Sequence, residues 1–192
     1  MTPVDSSSSG PRSPEQRKRE ALERLVRDND VWVATADATG EPCLVPLAFW
    51  WDGGAVWLAT RDTNPTGRNL CSSGRVRLAF GHIRDVVLVH GTARMLTREE
   101  LPAEVGDACA AKDGWDPRKD HPSYVFFHVT PQVLQAWGTV PEMAGRTLMR
   151  DGEWLPRPGI HPAAALRAHR SRRPPHRRRR VRHPPISQDF PP

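Results

Sequence analysis

Thr60, Arg61, Thr66, Arg68 and Asn69 fall within the stretch LATRDTNPTGRNL (58–70), and their types suggest anion chemistry. An apolar run ends at Thr60, and Thr66 is placed to cap a short helix running through Arg68, Asn69, Leu70 and Cys71. A helix N-terminus offers unpaired N–H groups and a partial positive charge. Arginines add forked, charge-assisted hydrogen bonds, and threonine hydroxyls supply further donors. Phosphate is the guest such a set would suit. The same spacing also describes a basic loop that meets only water and nearby acids such as Asp62, and spacing alone leaves both readings open.

Other reactive residues form no comparable group. His82, His90, His121 and His128 show no H-x-x-x-H pair and no neighbouring cysteine or carboxylate cluster. A metal site needs convergent ligands, so ordinary polar roles are expected and no metal. Cys43, Cys71 and Cys109 are odd in number and widely spaced, which argues against a disulfide framework and for a reducing cytoplasm. Glu142 reads as a surface carboxylate, with a substrate contact as the alternative.

The elements that must position the patch are mostly strands. Ser13-Pro14-Glu15-Gln16 opens a helix with a capping serine, a proline at the first helical position and a glutamine at capping-box spacing. Its stripe of Ala21, Leu22, Leu25 and Val26 ends near Asp28-Asn29-Asp30. Runs at 31–36, 43–51, 55–60, 75–81 and 86–96 alternate with tight turns such as Asp52-Gly53-Gly54, the pattern of an antiparallel meander. Pro46 implies an edge or a bulge, because proline cannot donate to a ladder. Thr97-Arg98-Glu99-Glu100 is a capping box opening a helix to about Ala111. Runs at 124–130 and 133–138, divided by Pro131, and a hairpin around Asp151-Gly152 complete the set. The expectation is a mainly β protein, a small antiparallel barrel of six to seven strands with two or three helices.

Trp32, Trp50, Trp51 and Trp57 alternate within strands and read as core or interface packing. Trp50 and Trp51 must face opposite sides of a regular strand, so one of them is expected to meet a partner chain or ligand. Trp115 would cover a barrel mouth.

Charge divides the 192-residue chain. The formal net charge is +6, but residues 156–192 hold ten arginines against Asp189, which leaves the preceding residues mildly acidic. Segment 1–12 is rich in Ser, Pro and Gly, and the Arg/Pro-rich segment 156–192 has no apolar period, so disorder is expected in both. One barrel domain, 13–155, remains between them. The tail could neutralise phosphates of a nucleic acid. It lacks interleaved aromatics that would stack on bases, so an unstructured extension is preferred, of the kind an out-of-frame translation of a GC-rich gene end produces. No run approaches the ~18 apolar residues of a membrane span, and no secretory signal opens the sequence. A cytoplasmic protein without membrane partners is expected.

In order along the chain, VATADATGEPCLVPLAFWWDGGAVWLAT, the T-G-R-N-L helix start, RVRLAF, VLVHGTARML and VTPQVLQAWGTVPEMAGRTLMRDGEW resemble the pyridoxamine 5'-phosphate oxidase-like superfamily. That resemblance covers residues 31–155. It implies a split β-barrel binding FMN or the deazaflavin F420, and two identical chains building two cofactor sites at their interface. Thr60, Arg61, Thr66, Arg68 and Asn69 would then hold the cofactor phosphate. Val45, Pro46 and Leu47 would run beside the flavin ring and offer backbone groups. Trp137 of the second chain would flank the ring, and Arg146 would reach the cofactor or close the interface.

The implied activity is oxidoreduction of a small molecule, with the hydride chemistry carried by the flavin. A non-catalytic flavin carrier or sensor is the alternative, and a nucleic-acid-associated protein using its tail a third reading. The oxidases proper carry a lysine shortly after the arginine of the phosphate loop and an Arg-x-His-Asp-Arg-like segment near the C-terminus. Gly67-Arg68-Asn69 and Gly145-Arg146-Thr147 match neither, which points away from pyridoxamine phosphate as substrate. F420-binding relatives often use a lysine-bearing version of the loop, so FMN is expected here and F420 is the alternative.

Overall fold

Strict alternation of apolar and polar residues decides the strands. In β1 (Asp30–Ala36), Val31, Val33 and Thr35 turn inward while Asp30, Trp32 and Ala36 face out, as a period of two requires. The same logic builds β2 (Pro42–Trp51), β3 (Val56–Arg61), β4 (Arg75–His82), β5 (Asp85–Leu96) and β6 (Tyr124–Trp137). The computed structural model describes residues 10–156. The expected disordered segments, 1–12 and 156–192, fall outside the described residues except for 10–12 and 156.

The strands pair antiparallel in the order β3-β2-β1-β4-β5-β6, and β3 pairs again with β6 to close a six-stranded barrel. The fold is therefore mainly β and antiparallel, as its sequence suggests. A hairpin, β7 (Thr147–Arg150) and β8 (Glu153–Trp154), extends from β6. Its turn residues Asp151 and Gly152 have φ of 53° and 79°, the positive values a two-residue hairpin loop needs.

One seam in the barrel is incomplete. β2 and β3 pair only through Phe49↔Leu58, Trp50↔Trp57 and Trp51↔Val56. Residues 42–48 of β2 pair with β1 alone, and Ala59–Arg61 of β3 pair with β6 alone. The barrel is split here, and Pro46 lies on the free edge, where its missing N–H costs no ladder bond.

Two sequence expectations are corrected. Pro131 does not divide β6, which runs unbroken from Tyr124 to Trp137. The register shifts by one residue opposite His90 and Gly91, so a bulge at Gln132 absorbs the irregularity. Gly91 makes it possible, since a Cβ there would lie 2.7 Å from Val129 Cγ1 and 2.8 Å from the Thr130 carbonyl. The helix expected from Thr97 starts later. Thr97 and Glu100 do exchange hydrogen bonds, Thr97 N–H to Glu100 Oε2 at 2.8 Å and Glu100 N–H to Thr97 Oγ1 at 3.4 Å. They close only a turn, and α3 occupies Ala103–Asp113 after an extended Pro102. The residue before a proline avoids the helical region.

Helix α1 (Pro14–Arg27) begins as its cap foretells, with Ser13 Oγ accepting the Gln16 N–H at 3.1 Å. Ala21 and Leu25 plug the barrel core of Val31, Val33, Phe49, Val56, Leu58, Leu78, Phe80, Val89, Phe127 and Val129. Each such side chain contributes roughly 1.5–3 kcal/mol when fully buried. A second cluster, Trp57, Leu96, Leu101, Val105 and Phe126, lies under α3 and takes Trp50 against it. Trp51 joins the barrel core. Trp51 is thus buried in the barrel, while Trp50 is half-buried because α3 supplies the second apolar layer. Trp32, in contrast, is 50% exposed on the outer face. Trp115 packs edge-on against Tyr124 with ring centroids 5.2 Å apart. Among the described residues no helix is long and apolar enough to cross a membrane.

Candidate functional site

The split between β2 and β3 is where helix α2 (Pro65–Ser73) begins. Asn64, not Thr66, occupies the N-cap position, and its side chain makes no capping bond. Instead Asn64 Nδ2 donates to Thr60 Oγ1 at 3.1 Å, tying the helix start to the end of β3. Thr66 lies one residue inside the helix, because Pro65 already fills the first helical position.

The two faces of α2 have different work. Thr66, Gly67, Asn69 and Leu70 are buried against the barrel, while Arg68 is exposed. Thr66 Oγ1 lies 3.4 Å from Cys43 Sγ on β2, and Asn69 Nδ2 donates to Thr35 Oγ1 on β1 at 3.1 Å. Gly67 lets the helix touch β3, since a Cβ there would sit 2.2 Å from the Arg61 carbonyl oxygen. Thr60, Thr66 and Asn69 therefore hold α2 in place, and the positive charge near its start is carried by Arg61 and Arg68.

Neither of those guanidinium groups is neutralised. Arg61 lies over the Tyr124 ring at 5.4 Å, and Arg68 Nη1 donates to the Thr63 carbonyl. Among the described residues neither makes an ion pair, with Asp62 or any other acid. A depression lined by Asp62, Thr63, Arg68, Cys71 and Ser72 opens beside Arg68. The helix start has no side-chain cap, so its first-turn N–H groups lack a capping acceptor. Along the seam, Val45 and Leu47 half-bury their side chains against the core and Pro46 is exposed. The edge of β2 over residues 42–48 has no partner strand on its β3 side, which leaves backbone N–H and C=O groups free there. This part of the chain thus combines a helix start without a side-chain cap, two arginines without acidic partners among the described residues, and a strand edge unpaired over residues 42–48.

Trp137 and Arg146 belong to a separate group. Arg61 pairs with Tyr124 at the start of β6, whereas Trp137 pairs with Val86 at its end. At ~3.3 Å per residue, on the order of 40 Å of strand lies between them. Arg146 Cζ lies 6.0 Å from the centroid of the Trp137 ring, and Arg146 Nη1 donates to the Met143 carbonyl at 3.1 Å. The structure brings these two together and keeps them away from Arg61 and α2 of their own chain.

A family profile described as Pyridoxamine 5'-phosphate oxidase matches residues 18–138. The chain belongs to the pyridoxamine 5'-phosphate oxidase-like superfamily. No curated protein matches its sequence. Solved structures share the fold at low identity. Campylobacter jejuni ChuZ is 14% identical with a TM-score of 0.58, covering 74% of this chain and 65% of its own. HutZ, the heme storage protein of Vibrio cholerae, is 19% identical with a TM-score of 0.54, covering 66% and 98%. General Stress Protein 26 of Bacillus anthracis is 15% identical with a TM-score of 0.50, covering 63% and 94%.

Within this split barrel the profile spans the whole α2 corner and ends just past Trp137. Sequence reading missed several residues that shape the site. Thr35 was discoverable as a polar residue on the inward face of β1, but Cys43, Asn64 and Tyr124 meet the patch only through the fold. Glu142 corrects an expectation outright. It is 3% exposed, and it accepts three hydrogen bonds from Arg12, at 2.9, 3.0 and 2.9 Å. A carboxylate this buried persists only because a cation pairs with it. The Arg12 guanidinium holds Glu142 down to about 2, against desolvation that pushes the other way. Among the described residues no group of three or more His, Cys, Asp or Glu could hold a metal ion.

Proposed function

We propose that the protein is a homodimeric flavin-binding oxidoreductase that uses FMN, with F420 as the alternative cofactor, and acts on a small molecule. The carrying observation is the pair of un-neutralised arginines, Arg61 and Arg68, at the uncapped start of α2 beside the open β2 edge. Arginines without acidic partners, next in sequence to a helix start without a side-chain cap, favour a phosphate. Superfamily membership supports the same reading, since the superfamily includes flavin and F420 binders alongside heme-binding relatives such as HutZ.

Arg61 and Arg68 would hold the phosphate, together with the N–H groups of Thr66 and Gly67. Thr60, Thr66 and Asn69 would keep α2 fixed while they do so. The free edge at Val45, Pro46 and Leu47 would hydrogen-bond the polar rim of the ring. When bound, the flavin supplies hydride transfer, and the protein supplies orientation and electrostatics. Trp137 and Arg146 would flank the ring from the second subunit, because within one chain they lie at the far end of β6. The proposal therefore includes a homodimer.

Titration of the purified protein with FMN and with F420, followed by flavin fluorescence, tests the proposal. Saturable quenching by either cofactor supports it, and no change with both refutes it. Reduction of the bound flavin then separates enzyme from carrier. An enzyme reoxidises it faster with a substrate than with air, and a carrier does not.

A further inference from the structure

We propose that Arg12 is a positioning residue that fixes the arm bearing Trp137 and Arg146, and so sets the grip on the flavin ring. The inference rests on the functional reading above. Its physical basis is a charged cluster that no part of the cofactor cradle uses.

Arg12 lies before α1, yet its side chain is tied to three elements. Nη1 meets Glu20 Oε2 at 2.7 Å on α1, and Nη2 meets Asp85 Oδ1 at 2.9 Å at the start of β5. Nε and Nη2 grip the two oxygens of Glu142, at 3.0 and 2.9 Å, in a forked pair. Glu142 Oε2 also accepts the Gly138 N–H at 2.7 Å. One carboxylate thus clamps the segment that follows Trp137 and precedes Arg146. Arg17, itself buried, adds a second tie, with Nη1 donating to the Ala136 carbonyl at 2.8 Å. Arg24 completes the cluster with a 2.6 Å bond to Asp85 Oδ2.

The fit around the guanidinium is close. A Cβ at Gly138 would lie 2.7 Å from Arg12 Nη2, so a larger residue there would push the guanidinium aside. A forked arginine–carboxylate pair fixes direction as well as distance. Breaking such a buried pair leaves a charge without its partner, and the peptide it anchors is freed. Arg12, Arg17 and Glu142 all lie outside residues 18–138, the span shared with the family. Glu20, Arg24, Asp85 and Gly138 of the same cluster lie within it, so the brace ties flanking residues to the matched span.

Arg12→Ala in the full chain separates this role from simple stabilisation of α1. Hydrogen exchange of residues 138–146 should speed up at least about tenfold, while exchange in α2 stays unchanged. FMN and riboflavin should weaken by the same factor, about tenfold, because the ring contact is lost and the phosphate contact is not. Fluorescence of the bound flavin should rise as Trp137 leaves the ring. Arg12→Lys, which keeps the charge without the fork, should give a smaller exchange increase and serves if the alanine variant does not fold. Unchanged exchange across 138–146 in the lysine variant, or a lower Tm with both affinities intact in the alanine variant, overturns the proposal. Exchange is read without any flavin, so a wild-type chain that binds no flavin indicts the functional reading instead.

Discussion

Arg68→Ala should weaken FMN and spare riboflavin. Arg68 is exposed on the outer face of α2 and its guanidinium has no acidic partner. Its removal therefore breaks no ion pair and leaves no buried group stranded, so the fold should not suffer. A hydrogen bond to a charged group contributes about 1.5–3 kcal/mol. Solvent screening of an exposed arginine favours the lower end, equivalent to about a tenfold rise in the FMN Kd. Arg61 is half-buried and lies over Tyr124, so Arg61→Ala should cost more, toward the upper end and roughly a hundredfold. Fluorescence titrations with FMN and riboflavin, side by side on each variant, measure the effect. Riboflavin lacks the phosphate and should bind all three proteins alike. Equal losses for FMN and riboflavin would refute the placement of the phosphate at α2.

Three further outcomes follow from particular contacts. Gly67→Ala puts a methyl against the Arg61 carbonyl backbone, and overpacking of this kind costs about 1–3 kcal/mol. A lower Tm and a loss of FMN binding should appear together, and a variant with wild-type Tm would show that α2 can retreat freely. Asn69→Ala strips the buried Thr35 hydroxyl of its donor and should cost about 1–3 kcal/mol by urea denaturation. The Glu142 carboxyl sits at about 2 in the folded protein, below an ordinary glutamate's 4.5. The unfolded chain binds this proton first, so the stabilisation is complete above 4.5 and is lost as pH falls toward 2. The wild-type advantage over Glu142→Gln, up to roughly 3 kcal/mol, should therefore shrink on acidification, as chemical denaturation across that window would show.

The barrel was legible because alternation such as V-W-V-A-T-A carries its own inside and outside. What could not be read depended on neighbours far away in sequence. The continuity of β6 through Pro131 rests on Gly91 across the ladder. The cover over Trp50 rests on α3, which no strand pattern announces. In the patch, residue types suggested anion binding, yet helical period already held more. Thr66, Asn69 and Leu70 lie at i, i+3 and i+4, on the barrel face, and Arg68 turns away from it. The division between residues that hold the helix and the arginine that turns outward was latent in that spacing. Arg12 and Glu142 stand 130 residues apart, and nothing local pairs them, so a buried carboxylate looked like a surface one.

Mass spectrometry of the small molecule released from natively expressed, purified protein tests the central claim most directly. FMN, or F420 in its place, at one per chain is the expected result. A protein that releases neither, and carries no other phosphorylated flavin, would contradict it.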